Sequence, residues 1–407
     1  MAMLNKKIVI VSALRTPFDK YGGVMKDIRS IDLASEVLTK VVERVGLPKD
    51  KVDYIFYGST IHAEFAADVN VPVRQALLNA GFPSSVRSLT VDRACCSSMA
   101  AFTAGIREIQ VGEAEIVIAA GAENLSNVPH IVKGLRWGKK IGNFDLYDVN
   151  AGFSYPGFGP VSVDTDNVSK REGITREEMD RWAYESQMRY QKANAEGFFA
   201  DEIVPYTIAS RKGDIVVTED QGPRADTTYE KLASLKSVYG TEMITAGNAP
   251  GLNVGACAIL MMTEEKAKEL GYKPLAYVLD STTIASDYEN IPVVPAMAID
   301  SLLVRNGLQP KDLKLLEINE AFAAMPLVST KLVAKGDPEL TEYLRSITNV
   351  NGGAIAIGHP MGATGARLIM TLMYALRKQG GGKGIACLCG GLAQGDGVLI
   401  EVPAEIC

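Results

Sequence analysis

Two stretches of this chain repeat one another. The segment from Val41 to Ser59, VVERVGLPKDKVDYIFYGS, matches LLVRNGLQPKDLKLLEINE from Leu302 to Glu320 with one inserted residue. Each is followed by the same series: a small-residue turn, a helical pattern and a closing strand pattern. In the first half these are DRACCSS, a helix and EIVIAAG; in the second they are IGHPMGATG, a helix and GIACLCGG. A shared order of elements, more than one weak match, implies a duplicated α/β unit. Short β-branched runs at 7–11, 54–57, 88–91, 116–120, 256–262, 275–280, 313–318, 384–389 and 398–402 support it. They alternate with helical periodicity at 32–45, 97–111, 177–196, 298–304 and 362–378, the pattern of an α/β fold. The spacing divides the chain into a first half (1–123 with 242–274), an insertion (124–241) and a second half (275–407). The insertion opens on a Gly- and Tyr-rich stretch, Asn143 to Gly159, expected to be partly irregular, and continues through a charged helical region. There Thr175 and Glu178 form a capping-box pattern.

At 407 residues the chain is too long for one ordinary core. Its net charge of -6 offers no basic footprint for nucleic acid or an anionic membrane. Lys133, Arg136, Lys139 and Lys140 form a local patch that reads as a solvated loop. No stretch reaches the length of a bilayer span. The opening run KKIVIVSALRTPF is strand-length and interrupted by Arg15 and Pro17, so neither a signal nor a transit segment is expected. Six cysteines, at 95, 96, 257, 387, 389 and 407, are spread through a large chain, which fits reduced thiols in a cytoplasm.

The chemistry-bearing segments are few. In VDRACCSSMAAF, Val91 to Phe102, a strand runs into Cys95 and Cys96 just before a helix begins. Free N–H groups and the positive dipole end there favour thiolate over thiol. Cysteine is also a common small core residue, so this pair alone leaves packing open. In NVNGGAIAIGHPMGATGARL, Asn349 to Leu368, His359 is one of three histidines and stands in a glycine-crowded turn. Such a turn lets backbone approach a ligand and presents the imidazole at a loop tip, where it can take a proton from a thiol. A hydrogen-bonded structural histidine is the alternative. Cys389 ends a buried strand, and Gly390 and Gly391 after it can offer backbone N–H groups to an oxyanion. Asn319 and Glu320 close another apolar strand, where open α/β sheets place their sites. A zinc site built from Cys95-Cys96 and Cys387-x-Cys389 fits poorly, because ligand pairs normally stand two to four residues apart.

VDRACCSSMA, TAGNAPGLNVGA, INEAFA, GGAIAIGHPMGATG and LCGGLAQG resemble, in order, the signature blocks of the thiolase family, over nearly the whole chain. The resemblance implies a duplicated α/β fold with a layered α-β-α-β-α core and a large loop insertion in the first half. It implies a coenzyme A-dependent acyltransferase, with coenzyme A as co-substrate and no tightly bound cofactor or metal. Cys95 would accept the acyl group and His359 would activate it. Cys389 would move the proton of the carbon acid. Asn319 would hold a water that, with His359, steadies the enolate oxygen. The N–H groups of Cys95 and Gly391 would form a second oxyanion hole. Arg224, in QGPRADTTYEKLASLK, matches the family's Pro-Arg block and would contact the nucleotide end of the coenzyme, unless it is a surface loop arginine. Ala249 and Pro250 would meet the pantetheine arm, although Pro250 stands where many members have serine.

Further departures are Cys96 and Ser98 at frequent glycine positions, which either reshape the acyl pocket or fill gaps. PGFGPVSVDTDN, Pro156 to Asn167, stands where acetoacetyl-specific members carry His-Met-Gly, which points to a bulkier or unusual 3-oxoacyl chain. The alternatives are a β-ketoacyl synthase-like condensing enzyme and a thiolase-like subunit working with a small accessory protein. Family resemblance suggests a homodimer or homotetramer.

Overall fold

A computed structural model describes residues 5–65, 70–152, 155 and 157–407. The nine principal strands are β1 (Ile8–Arg15), β2 (Tyr54–Gly58), β3 (Arg87–Val91), β4 (Ile116–Asn124), β5 (Asn253–Thr263), β6 (Ala276–Ala285), β7 (Leu315–Ile318), β8 (Gly382–Gly390) and β9 (Gln394–Val402). With the short strand Asp19–Lys20 they form one 10-stranded sheet, in the order β7-β8-β9-β6-β1-β5-β4-β2-β3. That order is nearly symmetric about the β1–β6 pairing, where Ile8 faces Val278. On one side β2 runs parallel to β4 and β3; on the other β7 runs parallel to β8 and bridges Thr348 through Leu316. The two repeated segments thus occupy equivalent places, each leading from a helix into a parallel strand.

The main helices are α1 (Ser30–Glu43), α2 (Pro72–Asn79), α3 (Ser97–Val111), α4 (Val161–Arg171), α5 (Arg176–Ala195), α6 (Val294–Asn306), α7 (Ala324–Val333) and α8 (Met361–Lys378). Strand alternation sends side chains to opposite faces, which separates three apolar clusters. Val9, Ile55 and Ile118 pack outward against α1 and α2. Ile10, Val117 and Ile259 pack inward, together with Leu388, Val398 and Ile400, around α3 and α8. Leu316, Cys387 and Leu399 pack outward against α6 and α7. The result is five layers, α-β-α-β-α. Lying between two sheet faces, α8 is buried without a break from Met361 to Leu376, which explains why it is mostly apolar or small all round, with the buried Arg367 paired to Glu317 at 3.2 Å.

The glycines of the Gly-His-Pro segment serve this packing more than a ligand. A side chain at Gly365 would collide with the backbone of Met99 in α3, and one at Gly362 with Ala122 and Glu123 at the end of β4. Gly358 is the exception. Its φ of 114° is a conformation that favours glycine, and it turns the chain into His359.

The insertion is more ordered than its composition suggests. His130–Val132 pairs with Leu146–Asp148, and α4 and α5 follow. The capping box at Thr175 and Glu178 is present. Lys133 and Lys139 lie over the rings of Tyr147 and Phe144 on an exposed surface. Phe153, Ser154 and Pro156 of the Gly- and Tyr-rich stretch lie outside the described residues, as does the start of PGFGPVSVDTDN. No helix among the described residues is long and apolar enough to cross a membrane.

Candidate active site

A cavity of about 720 Å³ opens where the C-terminal ends of β3 and β8 meet the start of α8, and it brings together residues from both halves. Cys95, His359, Cys389 and Gly391 line it, with Ala249 and Pro250 on the same wall. Asn319 is fully buried behind His359. Arg224 is not among the lining residues; its backbone N–H donates to Gln187 Oε1 at 2.8 Å, beside α5.

Cys95 sits in the turn from β3 to α3. Ala94 before it has a φ of 49°, a left-handed conformation that costs a residue with a Cβ about 1–2 kcal/mol. The turn is held by Ser97, whose hydroxyl donates to Ala94 O at 2.6 Å and accepts from the Arg93 N–H at 2.9 Å. Arg93 ties the turn to the second half, bonding Asp396 at 2.9 Å, Gln394 at 2.6 Å and Ile284 O at 3.1 Å. The link from β8 to β9 shows comparable strain. Gly390 pairs with Gln394, and Leu392 and Ala393 between them have φ values of 58° and 51°. This tight connection holds Gly391 at the cavity.

His359 is 7% exposed, so it is not at a loop tip. Its Nδ1 lies 2.7 Å from Thr364 Oγ1, and that hydroxyl donates onward to Pro360 O at 3.0 Å. Thr364 can therefore only accept from the ring, which places the proton on Nδ1 and a lone pair on Nε2. Nε2 faces Asn319 Nδ2 at 3.5 Å. Burial, then the charge of Arg367, lowers the imidazole to about 3, so the ring is neutral.

Burial also corrects the expectation for Cys95. Its thiol is pushed up to about 12, with Glu123 adding to the rise, because desolvation outweighs the helix end two residues away. Burial pushes the Cys389 thiol up too, with Cys95 as its nearest acidic neighbour in effect. Thiol and imidazole are both neutral at rest. Alkylation of Cys95 by iodoacetamide should therefore climb through pH 10, close to tenfold per pH unit, as the thiolate fraction of a group near 12 does. A plateau below about pH 8 would instead show a thiolate stabilised by the helix.

Two buried carboxylates position these groups: Glu123, which sequence reasoning missed, and Glu320, which it placed at a strand end beside Asn319. Glu123, at the end of β4, accepts from the N–H groups of Thr60, Ile61 and Gly362 at 3.0, 3.0 and 2.9 Å. It thereby fixes the first turn of α8, directly after His359. Glu320 does not reach the cavity. It accepts from Trp182 Nε1, Ser186 Oγ, Asn349 Nδ2 and Ile355 N at 2.8–3.0 Å, locking α5 to the segment before His359. Cys96 and Ser98 fill gaps between the halves and leave the cavity unshaped. Cys96 Sγ lies 3.9 Å from Leu388 O, and Ser98 Oγ accepts from Ala366 N at 3.0 Å. Cys387 faces the outer layer and does not line the cavity. Among the described residues no group of three or more His, Cys, Asp or Glu side chains is placed to hold a metal ion.

Known proteins share both the sequence pattern and the architecture. The chain matches the family models "Thiolase, N-terminal domain" over residues 8–265 and "Thiolase, C-terminal domain" over residues 272–402. An acetyl-CoA acetyltransferase of Syntrophomonas wolfei is 36% identical over 405 residues, covering 98% of this chain and 100% of the relative. A beta-ketoadipyl-CoA thiolase of Acinetobacter baylyi is 37% identical over 412 residues, covering 97% and 99%. The crystal structure of human mitochondrial 3-ketoacyl-CoA thiolase in complex with CoA superposes with a TM-score of 0.90 at 32% identity, covering 98% of each chain. A sulfur, a neutral imidazole and a second thiol around one cavity, on a fold and a sequence shared from end to end, place this chain in the thiolase family of acyltransferases.

Proposed function

We propose that the chain catalyses coenzyme A-dependent cleavage of a 3-oxoacyl-CoA, or the reverse Claisen condensation, through an acyl-enzyme on Cys95. The observation that carries this reading is the convergence of Cys95, His359 and Cys389 on one cavity from separate parts of the chain. His359 Nε2 takes the Cys95 proton and the sulfur adds to C3 of the substrate. The C2–C3 bond breaks, its electron pair stays on C2, and Cys389 delivers a proton there, releasing acetyl-CoA. Coenzyme A then enters as co-substrate, its thiol proton goes to the Cys389 thiolate, its sulfur takes the acyl group, and the departing Cys95 sulfur regains its proton from His359 Nε2. The N–H groups of Cys95 and Gly391 face the oxygen that gains charge at C3. Asn319 and the newly protonated Nε2 face the enolate oxygen, with a water between. Ala249 and Pro250 would flank the pantetheine arm and Arg224 the nucleotide end.

The acyl end favours an uncharged chain, bulkier than acetyl. Its walls include Leu125, Val161, Ile291, Phe322, Met325 and Met361. The lining cation Arg93 is engaged on all three nitrogens, and His359 is neutral. A carboxylate on the acyl chain would be buried without a partner, at a cost of about 1–3 kcal/mol or more. The beta-ketoadipyl relative is thus a poor guide to the substrate. The synthase-like alternative, expected to use two histidines or a histidine and an asparagine beside the cysteine, is disfavoured by Cys389, Gly390 and Gly391 on the cavity wall. The halves and insertion at 1–123 with 242–274, 124–241 and 275–407 complete the reading. So does a homodimer or homotetramer in the cytoplasm, supported by the half-exposed edge strand β3 and by six free thiols.

A panel of short linear, branched, aryl and carboxylate-ended 3-oxoacyl-CoA esters, assayed for coenzyme A-dependent cleavage, tests this. Neutral chains should be cleaved with kcat/KM at least about tenfold above the carboxylate-ended ester. Preference for the charged ester would overturn the acyl assignment, and no cleavage of any ester would overturn the activity.

A further inference from the structure

We propose that Tyr155 is a further catalytic residue, its hydroxyl donating a hydrogen bond to the acyl oxygen at C3 as that oxygen gains charge. The inference rests on the acyl-enzyme reading above and extends it to a residue outside the recognised blocks. Tyr155 lines the same cavity as Cys95, Cys389 and Gly391. Its hydroxyl occupies the space directly over Gly391: a Cβ built on that glycine would collide with the phenolic oxygen and then with the ring. The hydroxyl is therefore beside the residue whose N–H faces the acyl oxygen.

It has no hydrogen-bond partner among the described residues, although several other polar groups lining the cavity find one. Arg93 and Gln394 bond each other, and Asn150 Nδ2 donates to Leu125 O at 2.8 Å. A half-buried phenol with an unused donor that points into a cavity is a group waiting for a ligand oxygen. Burial, with the neighbouring Cys95, Asp92 and Cys389, pushes the phenol up to about 12, so it keeps its proton and can act only as a neutral donor or acceptor. It also explains the glycine at 391, since any side chain there would displace the hydroxyl.

In the first half-reaction the Cys95 sulfur adds to C3 and the carbonyl electron pair moves onto oxygen. The Tyr155 hydroxyl bonds that oxygen more strongly than it bonds the starting ketone, which is what lowers a barrier. No proton leaves Tyr155. The pair returns when C2–C3 breaks, and the cycle repeats when the coenzyme sulfur attacks and the Cys95 sulfur departs.

Tyr155→Phe keeps the ring and removes only the hydroxyl. With the full-length enzyme and a 3-oxoacyl-CoA that the wild type cleaves, kcat should fall about 100-fold, the loss typical of one oxyanion donor, while KM stays within about twofold. The thioester carbonyl band of the acyl-enzyme should move to higher frequency in infrared difference spectra, a change that a purely space-filling ring would not produce. Retained kcat with an unshifted band overturns the proposal. So does a raised KM at unchanged kcat, which would make the hydroxyl a binding group only. A wild type that forms no acyl-enzyme overturns both this inference and the function it rests on, whereas an active wild type matched by Tyr155→Phe overturns this inference alone.

Discussion

Cys95→Ser is expected to lose cleavage of 3-oxoacyl-CoA by about 10⁴-fold or more, equivalent to about 5.5 kcal/mol of barrier. The two side chains have the same shape, so the loss is chemical. Holding an acyl group at thioester energy is what lets the next sulfur or carbon nucleophile take it, and an oxygen ester is a poorer donor to both. The proton transfer also fails. Here the Cys95 thiol is already raised to about 12 by burial, and its base is an imidazole lowered to about 3. A hydroxyl, more basic still, would not yield its proton to that ring. The structure should persist in this variant, because the Cys95 turn is held by Ser97 and Arg93. Cleavage within about tenfold of wild type, in a variant with an unchanged unfolding midpoint, would remove Cys95 from the nucleophile role.

Cys389→Ala separates the two proton movements. It should lower carbon–carbon bond cleavage and formation by about 10³-fold, within the range that a positioned acid or base supplies. Transfer of an acyl group from a simple thioester to Cys95 should fall by no more than about tenfold, because the departing coenzyme sulfur, an ordinary thiol with a pKa of about 8.5, can leave as thiolate without the Cys389 proton, whereas C2 cannot leave as a free carbanion. The site makes the separation legible. Cys389 Sγ lies 3.8 Å from Met325 Sδ, while His359 is braced separately by Thr364 and Asn319. The empty space left by the thiol is small and bordered by a flexible methionine that can fill it. Equal losses in both steps would mean that Cys389 supports the whole pocket and has no proton of its own to move.

Much of this architecture was written in local signals. The helix expected at 97–111 is the observed Ser97–Val111, because a strand, a small-residue turn and apolar periodicity all agree there. The Thr175 capping box was legible for the same reason. Other elements were silent. Ala324–Val333 is packed on nearly every face, so it carries no amphipathic period, and Val161–Arg171 hides Asp164, Thr165 and Asp166 where a sequence reading looks for apolar residues. Strand β4 runs on to Asn124 through Gly121 and Ala122, small residues that make room for α8 and have no strand signature of their own.

The site divides in the same way. Cys95, His359, Cys389 and Gly391 stand in short motifs and were found, but their surroundings depend on contacts between distant segments. Glu123 reaches Gly362 across 239 positions, and Arg93 reaches Asp396 across 303. The exposure of the imidazole was misjudged because a glycine-rich turn reads as exposed, whereas His359 is held inside by Asn253, Asn319 and Thr364. Tyr155 was invisible since nothing in its neighbours marks a phenol that will stand over a glycine on another half of the chain.

The most direct measurement is the intact mass of the protein after brief mixing with a 3-oxoacyl-CoA and no free coenzyme A, followed by peptide mapping. One acyl group should appear, on the peptide that carries Cys95, and it should vanish when coenzyme A is added. An acyl group on Cys96, Cys387 or Cys389 instead, or none at all while cleavage proceeds, would contradict the acyl-enzyme at the centre of this site.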